Sequence, residues 1–131
     1  MDYKLELILL PVADVDRAKV FYERLGFHCD VDHVAGDAFR VVQFTPRGSA
    51  CSVSFGVGIT SAEPGSVKGL HLVVDDIAVA RYELLKRGAD VSPIRHMTPE
   101  GWKEGGDVRR APFTSCAASG GPAGAWAELH A

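Results

Sequence analysis

No stretch of the 131-residue chain is long enough and apolar enough to span a bilayer. The longest apolar run near the start, Leu5 to Val12, is short, ends in Pro11-Val12 and lacks a small-residue cleavage site, so no secretory leader is expected. Basic clusters are equally scarce. The formal net charge is -3, and Arg109-Arg110 is only a dipeptide, so nothing points to nucleic acid. The three cysteines, Cys29, Cys51 and Cys116, cannot all pair within one chain and show no CxxC spacing. Reduced thiols in the cytoplasm are expected. No glycine-rich phosphate loop, ordered Ser-His-Asp signature or Cys-His nucleophile pattern is present, which disfavours nucleotide and hydrolase chemistry.

What is present is a repeat. Shifting the chain by 62 positions lays Val12-Ala13-Asp14-Val15 on Val74-Asp75-Asp76-Ile77, Ala18-Lys19 on Ala80-Arg81, Arg24 on Lys86 and Gly26 on Gly88. Each copy has a short apolar strand, Leu5 to Val12 or Leu70 to Val74, then an aspartate suited to cap a helix. Ala18, Phe21, Tyr22 and Leu25 then fall on one helical face, as do Ile77, Ala80 and Leu84 in the second copy. Gly26 and Gly88 supply the helix exits.

Three strands are expected next, near Phe27–Val31, Phe39–Phe44 and Cys51–Val57, separated by turns at Ala35-Gly36-Asp37 and Pro46-Arg47-Gly48-Ser49. Ile59 to Lys68 reads as a linker. The second copy should hold a strand near Val91–Arg95, a long polar loop from His96 to Pro112, and strands near Phe113–Ala118 and Ala125–His130 with a turn at Gly120-Gly121-Pro122. The expected organisation is one domain with module 1 near 1–58, the linker at 59–68 and module 2 near 69–131.

The segments LILLPVADVDRAKVFYERLGF and GLHLVVDDIAVARYELLKRGADV resemble the openings of the two modules of a glyoxalase/bleomycin-resistance protein, in the vicinal oxygen chelate superfamily. The resemblance extends over nearly the whole chain and is carried mainly by residues up to 95. It implies an α+β fold: two βαβββ modules forming a curved mixed sheet around a cavity, with the helices outside. It also implies a homodimer. The family's D-P-D-G-N turn before the last strand is replaced here by GGPAGAW.

Metal-dependent relatives carry ligands at four strand positions. The first corresponds to Leu7 and its counterpart in the second copy to Gly69, neither of which has a donor atom. The first module closes with CSVSFGVG, which offers Ser52 and Ser54 but no acid, and the last position falls near His130, two residues after Glu128. At least three of the four positions are therefore empty, whereas divalent metals need nitrogen, carboxylate or thiolate donors. No cofactor is expected, the alternative being a rearranged site for Zn, Ni, Mn or Fe at His71, Glu128 and His130.

Strand alternation groups Leu7 with Leu9, His71 with Val73, Ser52 with Ser54, and Trp126 with Glu128 and His130. With Trp102 in the long loop, these are the candidate ligand-binding residues, and that loop is either a surface excursion or a lid. Each has a plainer reading: His71 as a satisfied core histidine, Glu128 and His130 as exposed edge residues, Ser52 and Ser54 as a solvated strand face. Two functions are carried forward. One is metal-free binding of a small aromatic or hydrophobic molecule. The other is a lyase, isomerase or dioxygenase of the same superfamily, using His71 and Glu128 as an acid/base pair or the rearranged metal site. A domain whose pocket has no ligand is the bland third reading. No membrane or nucleic-acid partner is expected.

Overall fold

The 62-residue repeat is carried into the backbone by its two helices. Helix α1 spans Val15–Arg24 and helix α2 spans Ile77–Lys86. The Asp14 carboxylate accepts the Arg17 backbone N–H at 3.1 Å. Asp76 accepts those of Ala78 and Val79 at 3.0 and 3.1 Å. Both caps satisfy N–H groups that have no partner inside their helix. Both helices exit through a glycine with φ of 84°, Gly26 and Gly88, in the left-handed region that side chains disfavour.

The structure, a computed structural model, describes residues 1–104, 115–120 and 126–130. These residues fall into two compact units that divide between Val67 and Lys68, within the Ile59 to Lys68 segment. In the first unit, strands β1 (Leu7–Leu9), β2 (His28–Val34), β3 (Arg40–Thr45) and β4 (Ser52–Val57) form a mixed sheet in the order β1-β4-β3-β2. The β1–β4 pair is parallel and the others antiparallel. With α1 this is the expected βαβββ unit.

Alternation along β3 and β4 explains where α1 packs. Val42, Phe44, Val53 and Phe55 are buried on one face, and Ala18, Phe21, Tyr22 and Leu25 of α1 are buried with them. The Tyr22 ring is fully buried and lies 5.5 to 6.1 Å from the rings of Phe27, Phe44 and Phe55. Burying a side chain of this size stabilises the fold by roughly 1.5–3 kcal/mol. On the same side, Arg40 makes a two-pronged contact with Asp32 at 2.9 and 3.0 Å and reaches Asp16 of α1 at 2.8 Å. Lys19 of α1 also reaches Asp32, at 3.0 Å. This network ties the helix to β2 and β3.

The second unit contains β5 (His71–Val73), α2, β6 (Arg95–Thr98), β7 (Gly101–Glu104), β8 (Ser115–Gly120) and β9 (Trp126–His130), in the sheet order β5-β9-β8-β6-β7. The β5–β9 pair is parallel and the rest antiparallel. It repeats the first module with β7 added at one edge.

Two expectations are corrected here. No strand runs over Val91–Pro93. The Arg81 guanidinium takes the carbonyls of Val91 and Ser92 at 3.2 and 2.8 Å, and Pro93 has no N–H to offer a ladder. The strand begins instead at Arg95. The first part of the predicted His96 to Pro112 loop is a hairpin: β6 and β7 pair through Met97 and Trp102, closed by Pro99-Glu100, and the rest of that loop lies outside the described residues. Gly120 ends β8 opposite Trp126, while Gly121 and Pro122 lie outside the described residues.

Candidate functional site

The face of the first sheet opposite α1 is built from two registered rows. Leu7 of β1 pairs with Ser52 of β4, whose hydroxyl meets that of Thr45 of β3 at 2.7 Å, and Thr45 pairs with His28 of β2. One step along, Leu9 pairs with Ser54, Ser54 with Gln43, and Gln43 with Val31. Leu7 and Leu9 each expose 43% of their surface. The face therefore grades from apolar at β1 to polar at β2.

Ser52 and Ser54 sit in the middle of this face and are buried, not solvated. The Ser54 hydroxyl donates to the Val42 carbonyl at 2.9 Å. The Thr45 hydroxyl donates to Asp30 Oδ2. Thr45 gives its one hydroxyl proton to Asp30, so Ser52 is the donor in the Ser52–Thr45 contact. The result is a relay from Ser52 through Thr45 to Asp30.

Asp30 is the residue that strand alternation misses. Two residues before Asp32, it should share the helix-side face. A β-bulge between Cys29 and Val31 breaks the alternation and puts Asp30 and Val31 together opposite Gln43. Asp30 Oδ2 accepts from Thr45 and, at 3.4 Å, from Gln43 Nε2. Oδ1 lies 3.7 Å from His28 Nε2, outside hydrogen-bond distance, and the side chain is 27% exposed. The sequence signal for the bulge would have been the run Cys29-Asp30-Val31-Asp32, two carboxylates in a strand whose partner strand offers Arg40 on one face and Gln43 and Thr45 on the other.

In the second sheet the parallel ladder sets His71 opposite Glu128 and Val73 opposite His130. His71 is exposed, as is Val73. The next rows run from His130 to Cys116 and from Cys116 to Arg95, and Arg95 pairs with Glu104. Trp102 lies at the β7 edge, part-exposed, with the Arg95 guanidinium 5.7 Å from its ring centroid. Trp126, Glu128 and His130 are fixed here by backbone register alone. Position 71 is the repeat partner of position 9, so the pair His71–Glu128 stands in the second sheet where Leu9–Ser54 stands in the first.

Among the described residues, the family-type metal positions do not supply a donor set for a divalent metal. Leu7 and Gly69 carry no donor, Ser52 and Ser54 are committed within the first sheet, and no group of three or more His, Cys, Asp or Glu side chains suited to a metal occurs among the described residues. A separate groove of about 280 Å³ follows the outer surface of α1, lined by Asp16, Arg17, Val20, Phe21 and Arg24, and none of the sequence-selected site residues is among these. Among the described residues no helix is long and apolar enough to cross a membrane.

No protein-family model and no curated protein matches the sequence. Solved structures do match. A glyoxalase/bleomycin resistance protein from Streptomyces sp. CB03234 is 28% identical, with 98% of this chain and 100% of that chain covered and a TM-score of 0.70. TnmS3, an antibiotic binding protein from the same Streptomyces, is also 28% identical, with 98% and 95% covered and a TM-score of 0.72. A member of the glyoxalase/bleomycin resistance protein/dioxygenase superfamily from Sphaerobacter thermophilus DSM 20745 is 23% identical, with 98% and 97% covered and a TM-score of 0.70. Together with two capped helices at a 62-residue repeat and two mixed sheets, these likenesses give the chain the vicinal oxygen chelate fold, shared with glyoxalase/bleomycin-resistance proteins.

Proposed function

We propose that the protein binds a small molecule with an aromatic or hydrophobic body, without a metal, on the sheet faces turned away from the helices. The observation that carries this reading is the first sheet's face: two half-exposed leucines beside a fixed polar network. An apolar surface with a few oriented polar groups is the usual make-up of a small-molecule site. The donor-free positions Leu7 and Gly69 support metal independence, and the 28% identical TnmS3, described as an antibiotic binding protein, supports small-molecule binding. We further place the protein in the cytoplasm as a homodimer, the exposed apolar residues of β1 and β5 favouring a covered edge.

A second reading rests on the His71–Glu128 register pair. A histidine beside a carboxylate is a serviceable acid/base couple if both reach one substrate. The two readings separate in one experiment. Purified protein is titrated with a panel of planar aromatic compounds, each followed both for binding and for chemical change. Saturable binding without turnover supports the binding reading. Turnover lost in Glu128→Gln supports the second, and a panel with no ligand overturns both.

A further inference from the structure

We propose that Asp30 is a recognition site for a cation, so that the ligand carries a protonated amine or similar group joined to its apolar body. This deepens the binding reading above and rests on it. Asp30 and Asp32 show why. Asp32 is neutralised by Lys19 and Arg40 at 2.9 to 3.0 Å. Asp30 has no such partner: Thr45 and Gln43 are neutral donors, and His28 stands at 3.7 Å. No lysine or arginine occupies the register positions of this face, from Leu7, Ser52, Thr45 and His28 to Leu9, Ser54, Gln43 and Val31. Among the described residues of this face, Asp30 is thus a carboxylate at the polar end with no lysine or arginine beside it. A carboxylate that is already oriented by two donors costs little further ordering when it accepts a third.

Geometry limits the ligand further. From β1 to β2 is three strand spacings, roughly 14 Å between backbones. The intervening floor is made by Ser52, Ser54, Gln43 and Thr45. A ring resting on Leu7 and Leu9 can reach Asp30 Oδ1 with its cation only across a linker of several atoms. The site thus selects an elongated organic cation over a compact one.

The test uses 1-naphthyl-alkylamines with two to six methylenes, and the matching alcohols and carboxylates, measured by calorimetry on the full chain. The expected order is amine over alcohol by about tenfold to a hundredfold, the range for a hydrogen bond to a charged group, with an optimum at an intermediate linker length. In Asp30→Asn the preference should collapse while the alcohols keep their affinity. In Thr45→Val, which keeps the carboxylate and removes the relay, the preference should persist but shrink. If Asp30→Asn fails to fold, salt decides on the wild type: added salt should weaken the amines and leave the alcohols unchanged. Equal binding of amines and alcohols by the wild type overturns the Asp30 proposal and leaves the binding reading standing. No binding by any of the naphthyl compounds overturns both.

Discussion

Asp30 and Asp32 are two residues apart on β2 and lie on opposite faces of the first sheet. One accepts from Thr45 and Gln43 on the face away from α1, and the other is held by Arg40 and by Lys19 of α1. The two carboxylates therefore answer to different tests. Arg40 first, and then Lys19, lower the pKa of Asp32 from 3.8 to about 2. A depressed carboxylate contributes stability that is fully present above its unfolded value and is lost as pH falls through the folded one.

For Asp32→Asn we therefore expect a loss of about 1–2 kcal/mol near neutrality, discounted for a site that is partly open to solvent. The wild type should lose that same increment between about pH 4 and pH 2, and the variant should not. Urea unfolding from pH 2 to 7 reads this directly. Parallel acid limbs for the two proteins would show that the pairing contributes nothing.

Gly56 of β4 pairs with Val41, and a Cβ added there would lie 1.8 Å from the Arg40 carbonyl oxygen. That neighbour is backbone inside an antiparallel ladder, so it has little room to yield. Gly56→Ala should destabilise by more than about 3 kcal/mol or prevent folding, among the larger effects seen for single substitutions. Gly36→Ala, with nothing within 4 Å of its added Cβ but a φ of 72°, should cost less. Thermal melts of the pair test the ranking, and the reverse order would contradict it.

Divalent metal should not stabilise the protein. A ligand that binds only the native state adds about 2.7 kcal/mol at a hundredfold excess over its Kd. With Leu7 and Gly69 at two of the expected ligand positions, Zn²⁺, Ni²⁺, Mn²⁺ and Fe²⁺ should each leave the melting temperature unchanged. A rise that a chelator reverses would restore the metal-site alternative.

His71→Ala separates binding from catalysis. If the protein only binds, affinity for an aromatic ligand should fall modestly, by about 1–3 kcal/mol. If His71 is a base, turnover should fall by roughly 10²–10⁴-fold with affinity nearly intact. A variant identical to wild type in both respects would leave His71 a purely structural residue, whatever its register with Glu128.

A homodimer is expected in solution. Light scattering at micromolar and higher concentrations should give about twice the 14.0 kDa chain mass. A monomer across that range would leave the exposed Leu7, Leu9 and Val73 in need of another explanation.

The helices were legible because each of their devices is local. A capping aspartate, a 3.6-residue apolar period and an exit glycine lie within twelve residues of one another, and the repeat states them twice. Strand parity grouped His71 with Val73 and Glu128 with His130, and the β5–β9 backbone register pairs these positions one to one. The β6–β7 hairpin was missed because its residues are polar, although Pro99-Glu100-Gly101 is a turn signal and Gly101 has φ of 107°. The polar end of the first face was missed for a different reason. Alternation assumes a strict two-residue period, and the break at Cys29/Val31 depends on a partner strand that a local reading does not consider.

The bulge also bears on how such a protein changes over generations. A one-residue shift of register in an ordinary strand turns every following side chain to the other face. At Asp30 the extra residue is absorbed: Cys29 stays opposite Phe44 and Val31 opposite Gln43, as they would without it. Gain or loss of a single codon there would add or delete a charged side chain while leaving the rest of the sheet in place. Under the binding reading proposed above, an insertion or deletion at this position would alter the charge of the candidate face without changing the pairing around it.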